Sequence, residues 1–72
     1  MNANPDTQTV NPKEGDWLEC GGNRVDVKAV GDGQVWYDVT VKDGTLNMQM
    51  DLEKWPRTVL NAIDKGAKFH AA

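Results

Sequence analysis

Seventy-two residues with 8 basic and 11 acidic side chains, a net charge of −3, allow one small domain and argue against the dense basic surface that sequence-independent nucleic-acid binding requires. The single cysteine, Cys20, and the single histidine, His70, exclude an internal disulfide and a four-ligand Cys/His zinc site. One core of this size supplies roughly 3–5 kcal/mol, so the domain is held by its own packing or completed by a partner. A lone cysteine suits a reducing cytosol. No charged-then-apolar leader and no run long enough to span a membrane is visible, so the expectation is a soluble cytoplasmic chain.

Residues 1–16 read as a flexible arm: two prolines and three asparagines oppose regular structure, and Val10 is the only side chain of a buried type. From Trp17 the pattern becomes that of strands. Residues 17–20 form a short first strand, and Gly21-Gly22-Asn23 a turn. Residues 24–30 alternate, with Val25, Val27 and Ala29 on one face and Arg24, Asp26 and Lys28 on the other. Gly31-Asp32-Gly33 is a second turn. Residues 34–41 are the third strand, with Val35, Tyr37, Val39 and Val41 against Gln34, Trp36, Asp38 and Thr40. Lys42-Asp43-Gly44 closes a hairpin, and residues 45–51 are the fourth strand, with Leu46, Met48 and Met50 facing inward.

The period then changes from two to about 3.6. Residues 51–54 suit an introductory turn, with Asp51 placed to cap it and Leu52 reaching inward. Pro56 suits the first helical position, and Trp55, preceding a proline, is expected outside the regular helix. Val59, Leu60 and Ile63 make an apolar stripe, and Gly66 ends a helix of about 56–65. Residues 67–70 are either a closing strand or an ordered tail carrying Phe69 inward. The fold expected is α+β and mostly β: a four-stranded antiparallel meander curled into a small SH3-like half-barrel, plus one C-terminal helix. A flatter sheet with the helix across one face is the alternative. The expected core is Leu18, Val25, Val27, Val35, Tyr37, Val39, Val41, Leu46, Met48, Met50, Val59, Leu60, Ile63 and Phe69.

No catalytic constellation stands out. The glycine pairs lie between strands rather than ahead of a helix, as a phosphate loop would require. Cys20 reads as a small buried side chain, and His70 as a solvated residue near the chain end. The carboxylates Asp38, Asp43, Asp51 and Glu53 lack the spacing of a cation-binding loop. The expectation is therefore a chain that is not an enzyme, with no catalytic residues, metal or cofactor. Trp36 is the sharpest functional signal, because a large ring among polar residues on a strand face suits a binding anchor. A ring covered by the helix or the arm is the competing reading. The candidate partner-binding surface is Arg24, Asp26, Lys28, Trp36, Asp38 and Thr40. A nucleic-acid patch of Arg24, Lys28, Lys42 and Trp36 is the alternative use of the same face.

In its length, its acidic strand-rich body with a C-terminal helix, and the run Gly15-Asp16-Trp17-Leu18-Glu19-Cys20-Gly21-Gly22-Asn23-Arg24-Val25, the chain resembles the small RNA polymerase-binding transcription regulators encoded by bacteriophages, of the inhibitor and antiterminator kind found in a Xanthomonas phage. That resemblance implies binding to the β′ and β subunits of bacterial RNA polymerase, interference with σ factor at initiation, and suppressed termination during elongation. It places the chain in the cytoplasm of an infected bacterium. The chain is expected to be monomeric alone, without membrane or direct nucleic-acid contact.

Overall fold

The computed structural model describes residues 11–72; most of the expected arm, residues 1–10, lies outside the described residues. Five strands, β1 (Trp17–Cys20), β2 (Asn23–Gly31), β3 (Gln34–Val41), β4 (Gly44–Asp51) and β5 (Lys68–His70), form one antiparallel sheet in the order β4-β3-β2-β1-β5. A 3₁₀ turn, Leu52–Lys54, leads directly into helix α1 (Trp55–Asp64). The meander of the first four strands is as expected from their alternation. The 67–70 segment resolves into a true closing strand: β5 returns beside β1, with Phe69 opposite Leu18 and His70 opposite Trp17. The sheet is open, with β4 and β5 as its two edges, so the fold is a helix across one face of a sheet rather than a closed barrel.

The turns follow backbone chemistry. At the β2–β3 hairpin Asp32 (φ 52°) and Gly33 (φ 73°) both take left-handed conformations. This is the two-residue turn whose twist matches the flanking strands, and aspartate and glycine tolerate it best. At the end of α1, Gly66 (φ 106°) lets the Ala67 N–H reach the Ala62 carbonyl and the Gly66 N–H reach the Ile63 carbonyl, both at 2.9 Å. That pair of bonds satisfies carbonyls the helix leaves open and turns the chain back into β5.

The inner face of the sheet and one side of α1 make the core: Leu18, Val27, Val35, Trp55 and Val59 are buried, with Cys20, Val25, Tyr37, Met50, Leu52, Ala62, Ile63, Ala67 and Phe69 packed around them. Trp55 is its largest member at 2 % exposure, its ring tilted against Tyr37 with centroids 5.3 Å apart. Trp55 lies inside α1 in a right-handed helical conformation (φ −59°, ψ −48°). Its expected exclusion from the helix is thus overturned: burial of the indole outweighs the steric bias that Pro56 imposes on the residue before it. Asp51 does not cap the 3₁₀ turn. Its carboxylate instead accepts from Gln34 Nε2 at 2.8 Å, and the turn is tied to the sheet by the Leu52 N–H donating to the Gly33 carbonyl at 2.7 Å.

Two expectations about the core are corrected. A β-bulge falls between Val27 and Ala29, so that Ala29 pairs with Trp36 and Val30 with Val35. Beyond the bulge the faces exchange: Ala29 leaves the inner face and Val30 takes its place. On β4, Leu46 and Met48 do stand on the inner face, opposite Val39 and Tyr37, but they are 55 % and 43 % exposed. A ten-residue helix is about 15 Å long, whereas five strands span roughly 19–24 Å across; α1 packs over β1 to β3 and the Met50 end of β4 and leaves Leu46 and Met48 uncovered. Val39, Val41 and Leu60 are likewise outside the central cluster.

The segment before β1 is docked. Asp16, 2 % exposed, accepts at one carboxylate oxygen from the Lys13 N–H and at the other from the Ala72 N–H, both at 2.9 Å, while its carbonyl accepts from the Val27 N–H at 2.8 Å. One carboxylate therefore fastens both ends of the described chain to the edge of the core.

Trp55→Ala is expected to cost about 3–5 kcal/mol, enough to unfold a domain of this size. Leu46→Ala, on the bare part of the same face, should stay within about 0.5 kcal/mol. Urea unfolding followed by circular dichroism separates the two. Asp16→Ala should cost about 1–3 kcal/mol, the usual worth of hydrogen bonds to a charged group, because the Lys13 and Ala72 N–H groups lose their carboxylate acceptor.

Candidate functional site

Among the described residues the outer face of the sheet carries no helix, and it is built in cross-strand rows. One row runs His70, Trp17, Asp26, Asp38, Asn47; the next runs Lys68, Glu19, Arg24, Thr40, Thr45. Of the six residues picked from sequence, Arg24, Asp26, Asp38 and Thr40 form one contiguous block, with Arg24 opposite Thr40 and Asp26 opposite Asp38. Trp36 stands one step further along β3, partly exposed, beside Gln49 of β4. The bulge sets both Lys28 and Ala29 against it, so Lys28 joins the face through the bulge rather than through a paired position.

Two carboxylates directly across a strand pair repel, and the face supplies each with a partner. Arg24 Nε donates to both oxygens of Asp26, at 2.9 and 3.1 Å, and Asn47 Nδ2 donates to Asp38 at 2.8 Å. Around Trp36, Gln49 Nε2 donates to Gln34 Oε1 at 3.1 Å, and Gln34 passes the chain on to Asp51. The polar side chains that frame the exposed ring are thus mutually ordered.

Two participants were missed in the sequence. Trp17, on the outer face, stacks on His70 with ring centroids 4.0 Å apart and the planes 11° from parallel, and the Arg24 guanidinium lies 3.8 Å from the Trp17 ring centroid. His70 is therefore an ordered strand residue, not a solvated end. Its Nε2 is shielded and lies 3.4 Å from Glu19 Oε1 without hydrogen-bond geometry. The signal that could have found both is the odd register of residues 68–70, which sets His70 on the same face as Trp17 once a fifth strand is granted.

Cys20 packs against the core on the inner face while His70 lies on the outer face, so the two do not form a nucleophile–base pair. Burial pushes the Cys20 thiol above its ordinary pKa, which keeps it protonated at neutral pH; burial acts in the same direction on the Tyr37 hydroxyl. Among the described residues no three His, Cys, Asp or Glu side chains converge as a metal would need. The hollow over Glu53, Lys54, Arg57, Thr58 and Asn61 on α1 is open to solvent. Among the described residues no helix is long and apolar enough to cross a membrane.

No protein-family model, curated protein or solved structure matches the chain. Function is therefore read from this surface.

Because its thiol is half-buried and held protonated, Cys20 should react with a maleimide at pH 7 several times more slowly than the same cysteine in the urea-unfolded chain. Equal rates would mean that the inner face opens readily at β1.

Proposed function

We propose that this chain is a non-catalytic protein-binding domain that regulates transcription by docking on bacterial RNA polymerase, at the β′ and β subunits, through the outer face of its sheet. The observation that carries the binding reading is the partly exposed Trp36 on a sheet face over which no other described element packs. The Gln34–Gln49 pair and the Asp38–Asn47 pair hold its surroundings in place. An aromatic ring on a rigid strand, rimmed by ordered polar groups, is the kind of anchor around which protein interfaces concentrate their energy. An SH3-like half-barrel curl of β1 to β4 would make that face a shallow saddle for a convex partner. The choice of partner rests on the resemblance to phage regulators. On that reading the domain acts in the cytoplasm of an infected host, loosens σ factor at initiation and promotes antitermination during elongation.

The face itself disfavours the nucleic-acid alternative. On its strands the cations Arg24, Lys28 and Lys68 are matched by the anions Glu19, Asp26 and Asp38, only Lys42 of the proposed patch adds to them from the turn before β4, and Arg24 is already committed to Asp26 and to the Trp17 ring. A single-strand platform needs unpaired cations beside its stacking rings to neutralise phosphates.

Trp36→Ala is expected to weaken binding to a β′ N-terminal fragment about tenfold or more, about 1.4 kcal/mol, with unchanged circular dichroism. An amide NMR titration of the labelled chain, with single-stranded RNA in parallel, reads this directly. Shifts confined to the outer face of β2 and β3 with the polymerase fragment support the proposal. Shifts with RNA alone, or none with the polymerase fragment, contradict it.

A further inference from the structure

The two edges of the sheet are unlike. β5 is three residues long and carries Lys68 and His70, a short, polar edge of the kind that blocks strand addition. β4 is eight residues long and has no charge or proline from Gly44 to Met50. It is extended, lies on the open side of β3, and shows Leu46 and Met48 to solvent. An edge of this kind is a template for another strand.

The backbone geometry says which groups it offers. Val41 and Gly44 flank the two-residue turn over Lys42 and Asp43 and are therefore a hydrogen-bonded pair; such pairs recur at every second position. Leu46, Met48 and Met50 thus spend their N–H and C=O groups on β3. Thr45, Asn47, Gln49 and Asp51 turn theirs outward.

From this edge we infer that the chain forms a symmetric dimer by antiparallel pairing of β4 with β4 of a second copy, the two-fold axis passing at Met48. The self-match of the edge selects that occupant. With Met48 opposite Met48 of the second copy, Leu46 meets Met50, Asn47 meets Gln49 and Thr45 meets Asp51. Every outward N–H and C=O from Thr45 to Asp51 then faces its counterpart. The apolar side chains stay together on the inner face, and no two acids are opposed within the paired stretch. With Asn47 opposite itself, one pair the other way, Asp51 falls opposite Asp43 in the turn, beyond the end of β4, and its outward N–H and C=O are left unpaired, whereas the Met48 register pairs all four outward residues. Among the described residues, α1 packs over Leu18, Val27 and Val35 and leaves Leu46 and Met48 open to a second strand. The dimer is a ten-stranded sheet that joins the two outer faces side by side. It departs from the monomer expected from sequence, and it does not depend on the polymerase reading.

The test is the mass of the full chain by sedimentation equilibrium up to about 1 mM, the weak end of specific association. The expected result is a rise from 8.0 kDa toward twice that value, returned to the single-chain mass by Met48→Lys, which opposes two lysines at the axis. Disulfide trapping in a Cys20→Ala background fixes the register without relying on that variant. Opposed non-hydrogen-bonded residues sit about 4.5 Å apart at Cα, within the range a disulfide spans. Met48→Cys should therefore cross-link in air several times faster than Asn47→Cys. A single-chain mass throughout, with no faster trapping at Met48, overturns the proposal and leaves the edge to a strand of another protein. A dimer indifferent to Met48→Lys overturns it as well, and faster trapping at Asn47 overturns the register.

Discussion

The packing of Trp55 against the inner face of the sheet is the contact on which the rest of this fold depends. One indole, at the first position of α1, fills the space above Tyr37, Val27 and Val35 and sets where α1 lies. Through the Leu52–Gly33 backbone bond the same junction fixes the entry of the helix to the β2–β3 hairpin. Through the Gly66 exit it sends the chain back to add β5 beside β1. In a chain with no disulfide and a core of five fully buried apolar side chains, little else could hold the helix to the sheet.

That single contact also decides what is left open. One short helix cannot roof five strands, so the inner face is divided into a covered part and a bare part at Leu46 and Met48 of β4. Among the described residues the outer face has no second layer. Its partly exposed tryptophans sit among ordered side chains. Trp17 is contacted by a guanidinium and an imidazole, and Trp36 stands at the bulge between two amide–carboxylate pairs. The domain spends its small core on one side and presents ordered, hydrated surface on the other, an arrangement suited to contacting other macromolecules.

Much of this was legible in the residues. The alternation of Val35, Tyr37, Val39 and Val41 fixed β3, the glycine-bearing turns fixed the meander, and the placement of Trp36 among polar neighbours was read correctly. Three things were not legible, each for a physical reason. The bulge at Val27–Ala29 carries no glycine or proline to mark it, so the alternation reads straight through and puts Ala29 on the wrong face. The exposure of Leu46 and Met48 is set by the length of a helix elsewhere in the chain, which local periodicity does not encode. The helical conformation of Trp55 runs against the bias of a residue before proline and is decided by tertiary packing. The candidate face was incomplete for a related reason: Trp17 and His70 become neighbours only through β5, a pairing across some fifty residues that no local pattern announces.

The most direct measurement of the one-sided core is the attenuation of side-chain NMR signals by a soluble paramagnetic chelate, at a concentration low enough to keep the chain dilute. The account predicts that the methyl groups of Leu18, Val27, Val35 and Val59 are spared, while those of Leu46, Met48 and Thr40 and the ring of Trp36 are strongly broadened. Protection of Leu46 and Met48 equal to that of Val35 would mean that the sheet closes over a continuous barrel core, and would contradict it.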